Sequence, residues 1–312
     1  MTEKLVKTLI IIALIAILFS GCEKNDGTEP DEVTNQQALE ELVTNDDVLK
    51  SYDVNFNEET AMNFAKTETA IYPIRVGRRV TLVSRNLNIT FSGDSASGLL
   101  TSVYDGILYI AASYNSAAPG DTSEIDTIIQ KPFTTTVTRN LKFKKIANTS
   151  NPKLNWRLTE VSLPEGQTAT TPINITKLVV GLSGGDSLVV TNPNTYYFKR
   201  DTSLAHTIPI FGVNQNVKVK IELTSTRSDT DFVTLTWGAS YGYTMHRAKK
   251  RFVLKSSTLS GGLYYKVYEQ TYTTNYRKGF KHAIFDAVQR PVILDDAVSV
   301  QHNAWGIPYV VK

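Results

Sequence analysis

The feature that most constrains this chain is a two-residue alternation that returns along most of its length. Val217, Val219, Ile221 and Leu223 alternate with Lys218, Lys220, Glu222 and Thr224, and Val233, Leu235 and Trp237 alternate with Thr234 and Thr236. Leu87, Ile89 and Phe91 do the same around Asn88 and Thr90. Phe133, Val137, Leu141 and Phe143 share one parity, as do Leu154, Trp156 and Leu158. Successive strand side chains point to opposite faces, so each run has an apolar face and a polar face. Antiparallel sheets laid over a core have that pattern. A mainly β fold is expected.

Turn and cap signals divide the chain. Thr34 and Gln37 make a capping-box pair before Leu39, Leu42, Val43 and Leu49, which recur at helical spacing. A second short helix is expected after Asn57, burying Ala61, Phe64 and Ala65, and strands begin near Ile71. Residues 34–163 therefore read as an α+β domain, two short helices plus a curved antiparallel sheet. Residues 164–172 contain nothing to bury and carry prolines at their margins, which reads as a linker. Residues 173–312 read as an antiparallel β-sandwich. In it Gly184-Gly185 turns one hairpin, and the polar segment 225–231 joins the strands at 217–223 and 233–237 into another.

The front of the chain carries an address. Lys4 and Lys7 precede an unbroken apolar run at 9–19, then Ser20, Gly21 and Cys22. That is the layout of a signal peptide. The run has 11 residues, whereas a membrane-spanning helix needs about 20. Phe19-Ser20-Gly21-Cys22 resembles the lipobox of bacterial lipoproteins, in which the cysteine is acylated and becomes the first mature residue. The resemblance implies a signal peptide at 1–21, lipid on Cys22 and a membrane as partner. The acidic tether at 22–33 holds Glu23, Asp26, Glu29, Asp31 and Glu32. It resembles the surface-export signal of Bacteroidetes lipoproteins, or is an ordinary solvated leader.

Cys22 is the chain's one cysteine, which excludes disulfides, thiol catalysis and cysteine-based zinc sites in the lipidated form. With 33 Lys and Arg against 30 Asp and Glu, the net charge of +3 offers no field for nucleic acid. The local exception is His246-Arg247-Ala248-Lys249-Lys250-Arg251, either a solvated strand end or a patch for phosphate or anionic headgroups.

Two further resemblances concern the body. Two short helices followed by long strands, closing in Asn155-Trp156-Arg157-Leu158 with Val161-Ser162 behind it, are similar to the cone-shaped domain of the nuclear-transport-factor-like superfamily. That superfamily hosts both enzymes and binding modules, so the likeness implies a fold and no activity. The later strands resemble an immunoglobulin-like sandwich without its paired cysteines.

Candidate chemistry is sparse. Gly181-Leu182-Ser183-Gly184-Gly185 matches G-x-S-x-G, but a strand rather than a helix is expected after it, which makes it a hairpin turn. His206, His246, His282 and His302 lack metal-ligand spacing, and the aspartate pairs 121/126, 229/231 and 295/296 lack a calcium-loop pattern. No cofactor or metal is expected. The aromatic pattern is more suggestive. Tyr264, Tyr268, Tyr272 and Tyr276 recur every fourth residue on an expected strand and would share one face, with Trp237, Tyr241 and Tyr243 extending it. Such a face either packs within the protein or presents a glycan- or protein-binding platform.

The function expected is a lipoprotein of the bacterial outer membrane, on its periplasmic face or at the cell surface. It acts as a binding or structural module, and the enzyme question stays open, leaning to no. The alternative is a lipid-anchored envelope hydrolase acting on polysaccharide or peptide. A third reading is assembly by strand addition at 307–311. The ligand and the oligomeric state are not legible.

Overall fold

The computed structural model describes residues 34–58, 72–114, 125–200, 208–239 and 247–312. The protein is mainly β, with a few short helices. Its described strands form a sheet of eleven and a sheet of five, with every pairing antiparallel except one.

The expected capping box is present: Thr34 Oγ1 accepts from the Gln37 amide at 3.2 Å and Gln37 Oε1 accepts from the Thr34 amide at 2.8 Å. It opens α1 (Asn35–Thr44), but the helical pattern expected to run on to Leu49 is split. Asp46 Oδ1 accepts from the Leu49 amide at 3.0 Å and so starts a separate helix, α2 (Asp47–Phe56). A side-chain oxygen that satisfies an orphan amide favours a new helix start over continuation. The helix expected after Asn57, with Ala61, Phe64 and Ala65, falls outside the described residues.

Three long strands follow, β1 (Tyr72–Ser92), β2 (Ser95–Ser113) and β3 (Thr127–Lys145), paired in sequence order. Next come β4 (Trp156–Ser162), β5 (Glu165–Gln167), β6 (Ile173–Gly181), β7 (Ser187–Val190), β8 (Tyr197–Lys199), β9 (Ile210–Phe211) and β10 (Asn216–Ser225). The chain ends with β11 (Phe232–Trp237), β12 (Ala248–Arg251), β13 (Val253–Ser260), β14 (Leu263–Thr273), β15 (Gly279–Val288), α3 (Arg290–Leu294) and β16 (His302–Val311).

The large sheet runs β1-β2-β3-β5-β16-β15-β11-β12, so strands from both expected domains build it. The stretch read as a linker supplies its centre: β5 pairs with β3 on one side and β16 on the other. It carries nothing apolar because it sits under the buried helix. A Cβ at Gly166 would lie 3.2 Å from Val137 Cγ2 and 3.4 Å from the Tyr52 hydroxyl. Its contribution is backbone hydrogen bonding rather than side-chain burial.

The smaller sheet runs β13-β14-β10-β6-β7 and packs face to face on β11, β15 and β16. Ile175, Leu178, Val219, Ile221 and Tyr268 from one sheet meet Leu235, Phe285, Trp305 and Ile307 from the other in one buried cluster. The hairpin at Gly184-Gly185 forms as expected, joining β6 and β7, with Gly185 at φ +88°. The second expected hairpin does not form. β10 and β11 lie in different sheets, and the segment between them crosses the sandwich. Both strands still face the same core, from opposite sides, so their alternation fits a crossing as well as a hairpin.

β15 and β16 are covered on both faces, by the small sheet and by α2. β16 has β15 on one side and β5 and β9 on the other. The reading of 307–311 as an open edge for strand addition is therefore corrected. The large sheet also curls strongly. β1 and β15 stand five places apart, roughly 24 Å if flat at about 4.8 Å per strand. Yet Arg78 Nη1 on β1 lies 3.1 Å from Asp286 Oδ2 on β15. The curl wraps the sheet around α2, whose Tyr52 and Phe56 pack against Val80, Tyr104, Val137, Ile284 and Ala304. No helix among the described residues is long and apolar enough to cross a membrane.

Candidate functional site

Inside this curl, positions that parity makes apolar are filled by charged or polar residues. Arg78 follows Ile74 and Val76 on the inner face of β1, Thr135 and Arg139 flank Val137 on β3, and His282 and Asp286 flank Ile284 on β15. Each of these five groups is buried. Burial of a charge is costly unless it is paired, so their partners decide what they are for.

One array has the order hydroxyl, imidazole, carboxylate. His302 Nδ1 lies 2.7 Å from Asp286 Oδ1, and His302 Nε2 lies 3.0 Å from Thr135 Oγ1. An ionised carboxylate only accepts, which places a ring proton on Nδ1 facing Asp286, while Nε2 faces the Thr135 hydroxyl, a group that can donate or accept. Burial by itself would push the Asp286 carboxyl up, but Arg78 and then His302 outweigh it and hold it well below the usual carboxylate range. Beyond Arg78 the chain of charges continues. Arg78 Nη2 is 3.7 Å from Glu58 Oε1, Lys249 Nζ donates to Glu58 Oε2 at 2.6 Å, and Thr236 Oγ1 donates to Glu58 Oε1 at 2.6 Å.

Hydroxyl catalysis through such an array needs room beside the oxygen for a substrate carbonyl. Thr135 is 0% exposed, Phe133 meets the His302 ring edge-on at 5.6 Å, and Phe56 lies 6.3 Å from it. The array is thus sealed, and what it does in this conformation is tie β1, β3, β12, β15, β16 and the end of α2 together.

A second pair joins α2 to β15: Ser51 Oγ lies 2.6 Å from His282 Nδ1. Burial first, and Arg139 second, hold the His282 pKa well below its ordinary value, so the ring is neutral. Asn55 fixes the same helix, donating to the Ala239 carbonyl and accepting from its amide.

The chain matches no protein-family model, no curated protein and no solved structure. Its chemistry therefore has to be read from its own residues.

Of the two readings of the tyrosine face, packing within the protein holds for Tyr268, Tyr272 and Trp237, and their reading as binding residues is corrected. Tyr268 and Tyr272 point into the core between the sheets at 0% and 2% exposure, and Trp237 packs on Tyr272 at 5.2 Å while donating from Nε1 to the Thr273 carbonyl. Tyr264 is half-buried, and Tyr276 is exposed beyond the end of β14. Fourfold spacing on a strand does give one face, but for Tyr268 and Tyr272 that face is the interior. Tyr241, Tyr243 and Cys22 lie outside the described residues, as do His206 and His246. The basic run is not simply a solvated end, because Lys249 is buried against Glu58 and Arg251 lies 3.9 Å over the Phe232 ring. Among the described residues no cluster of His, Cys, Asp and Glu could hold a metal.

The outside of the described residues carries open concave surfaces, two of them wide. The larger, about 840 Å³, crosses the outer face of the five-stranded sheet, where Gly181 leaves space beside Lys218, and where Lys220, Lys255, Glu269 and Gln270 stand around it. The other, about 670 Å³, lies on the outer face of β1, β2 and β3 among Thr81, Asp105, Ile107, Tyr109 and Thr134.

Proposed function

We propose that this protein is a lipid-anchored binding or structural module of the bacterial cell envelope, held at the outer membrane through Cys22 and working without catalysis. The groove across the five-stranded sheet carries the binding half of this reading. It is open, wide and lined by Lys218, Lys220, Lys255 and Glu269, so it suits a polar, charged chain such as an envelope glycan or a protein segment. The leader at 1–21 and the single cysteine after it support the anchoring half. The helix-in-curled-sheet half and the sandwich half then form a rigid body that presents the groove.

Two experiments test the halves separately. Cells expressing the full chain are labelled with radioactive fatty acid, and Cys22→Ser should abolish incorporation; undiminished labelling would remove the anchor. For the groove, purified envelope polysaccharide is titrated into the protein, and Lys218→Glu with Lys255→Glu should weaken binding at least tenfold. Equal affinity of variant and parent would move the ligand elsewhere.

A second reading, a lipid-anchored hydrolase, draws on the Thr135–His302–Asp286 order. It requires the Phe56 and Phe133 rings to open. Release of sugar or peptide from envelope material, lost in Thr135→Val, would establish it against the first.

A further inference from the structure

We propose that a single anion of halide size sits in the small cavity between α2 and the inner faces of β2 and β3, held by the guanidinium of Arg139. Three cations and two acids meet in that corner. Asp46 is paired with Arg200, and Asp53 with Arg85, whose Nη2 donates to both carboxylate oxygens at 3.1 and 2.9 Å. Tyr104 gives its proton to the same carboxylate at 2.5 Å. Both acids are thereby committed, and Arg139 is the third cation.

Arg139 stands on β3 opposite Leu100 and is 4% exposed. Its guanidinium lies over the Tyr52 ring at 4.7 Å, and its Nη1 is buried with no acceptor. Among the described residues it forms no ion pair. Burial lowers its pKa, while Tyr52 and Asp53 oppose this; guanidinium nonetheless stays protonated in proteins at neutral pH. A buried, charged donor with no counter-charge is the condition that an anion relieves and a neutral water only half relieves.

A cavity of about 10 Å³ adjoins it, lined by Arg139, Arg85, Ser102, Tyr104, Asp53 and Tyr52 among others. That volume takes about one water-sized sphere, which excludes sulfate, phosphate and any ligand carboxylate. Ser102 Oγ accepts from Arg85 Nε at 3.1 Å and keeps its own proton to donate. Asp53 also lines the cavity, but Arg85 and Tyr104 occupy its oxygens. The resulting site offers donors from Arg139 and Ser102 around a space for one atom, and the bound ion would help fix α2 inside the sheet.

The full chain, purified in detergent and sodium gluconate, is titrated with sodium chloride and with sodium bromide at constant ionic strength, and its thermal midpoint is followed. A saturable rise is expected with both halides, because a ligand that binds only the folded state stabilises it. Arg139→Gln should remove that rise. Crystals grown in sodium bromide should show an anomalous peak within hydrogen-bonding distance of the Arg139 guanidinium. A midpoint indifferent to halide, or a water at that position in bromide crystals, would overturn the proposal. If Arg139→Gln does not fold, the bromide crystals of the parent protein decide it alone.

Discussion

Lys266 Nζ sits 2.8 Å from Asp231 Oδ2 with both side chains wholly excluded from water. The pair stands where the chain leaves the small sheet to enter the large one, and it is densely satisfied. Lys266 also donates to the Asp229 carbonyl, Ser225 Oγ donates to Asp231 Oδ1 at 3.1 Å, and the Asp231 amide donates to the Tyr268 hydroxyl at 2.9 Å. Asp231→Ala leaves a buried ammonium without its counter-charge, and such a loss costs about 3–5 kcal/mol. Adding Lys266→Met should restore most of it, because the uncompensated charge is gone. Urea denaturation of both variants checks this; equal losses in the single and the double variant would show that the two residues are not coupled.

Gly306 on β16 lies tight against α2. A Cβ there would lie 2.7 Å from Pro164 Cγ and 2.9 Å from Tyr52 Cε2, and the Tyr52 ring is enclosed on every side. Gly306→Ala is therefore expected to cost about 1–3 kcal/mol through overpacking. Gly184→Ala, where a Cβ meets nothing, should leave the thermal midpoint nearly unchanged. If the two substitutions behaved alike, α2 would not be seated as described.

Asp286 holds the curl closed, and its titration gives that closure an acid limit. Its folded pKa is lowered from 3.8, so the unfolded chain takes up this proton first as pH falls. The stabilisation is complete above about pH 4 and is lost as pH drops through the folded value. Asp286→Asn should lower stability at neutral pH and flatten the part of the acid-unfolding profile that lies below about pH 4. A variant profile parallel to the parent's in that range would show that Arg78 and Asp286 do not interact as the geometry implies.

These residues also show how far the sequence could be read. Alternation gave the class, the Gly184-Gly185 pair gave the β6–β7 hairpin, and the Thr34–Gln37 spacing gave the capping box, since each is a local pattern. Alternation could not tell a hairpin from a sandwich crossing at 225–231, because both put Val219 and Val233 toward the same core. It took 164–172 for a linker because a strand stabilised by backbone hydrogen bonds under Tyr52 needs no apolar side chain. The buried array left a signal that went unread. Arg78, Thr135, Arg139, His282 and Asp286 each break an apolar parity, and a polar residue at such a position implies a partner elsewhere. Which partner is a matter of the curl, and sequence spacing does not carry it. The tyrosines left two readings open for a related reason, since one shared face says nothing about whether that face looks inward.

His282 should make stability fall on mild acidification, well before any carboxylate titrates. Burial and Arg139 keep its ring neutral in the folded protein, whereas an unfolded histidine takes up a proton near 6.5. Below that pH the unfolded chain binds one more proton at this residue, so folding stability falls by up to about 1.4 kcal/mol per pH unit; above it the contribution is flat. The groups facing the ring are Ser51, Tyr52 and Arg139, and none of them titrates between pH 5 and 7. His282→Gln keeps an amide that can still meet Ser51 Oγ while removing the titration. Urea midpoints taken from pH 7.5 to 5.5 should therefore fall more steeply in the parent than in His282→Gln, with the two curves diverging below about 6.5. Parallel curves would mean that the ring accepts its proton in the folded state, and then Ser51 and His282 would not be locked between α2 and β15.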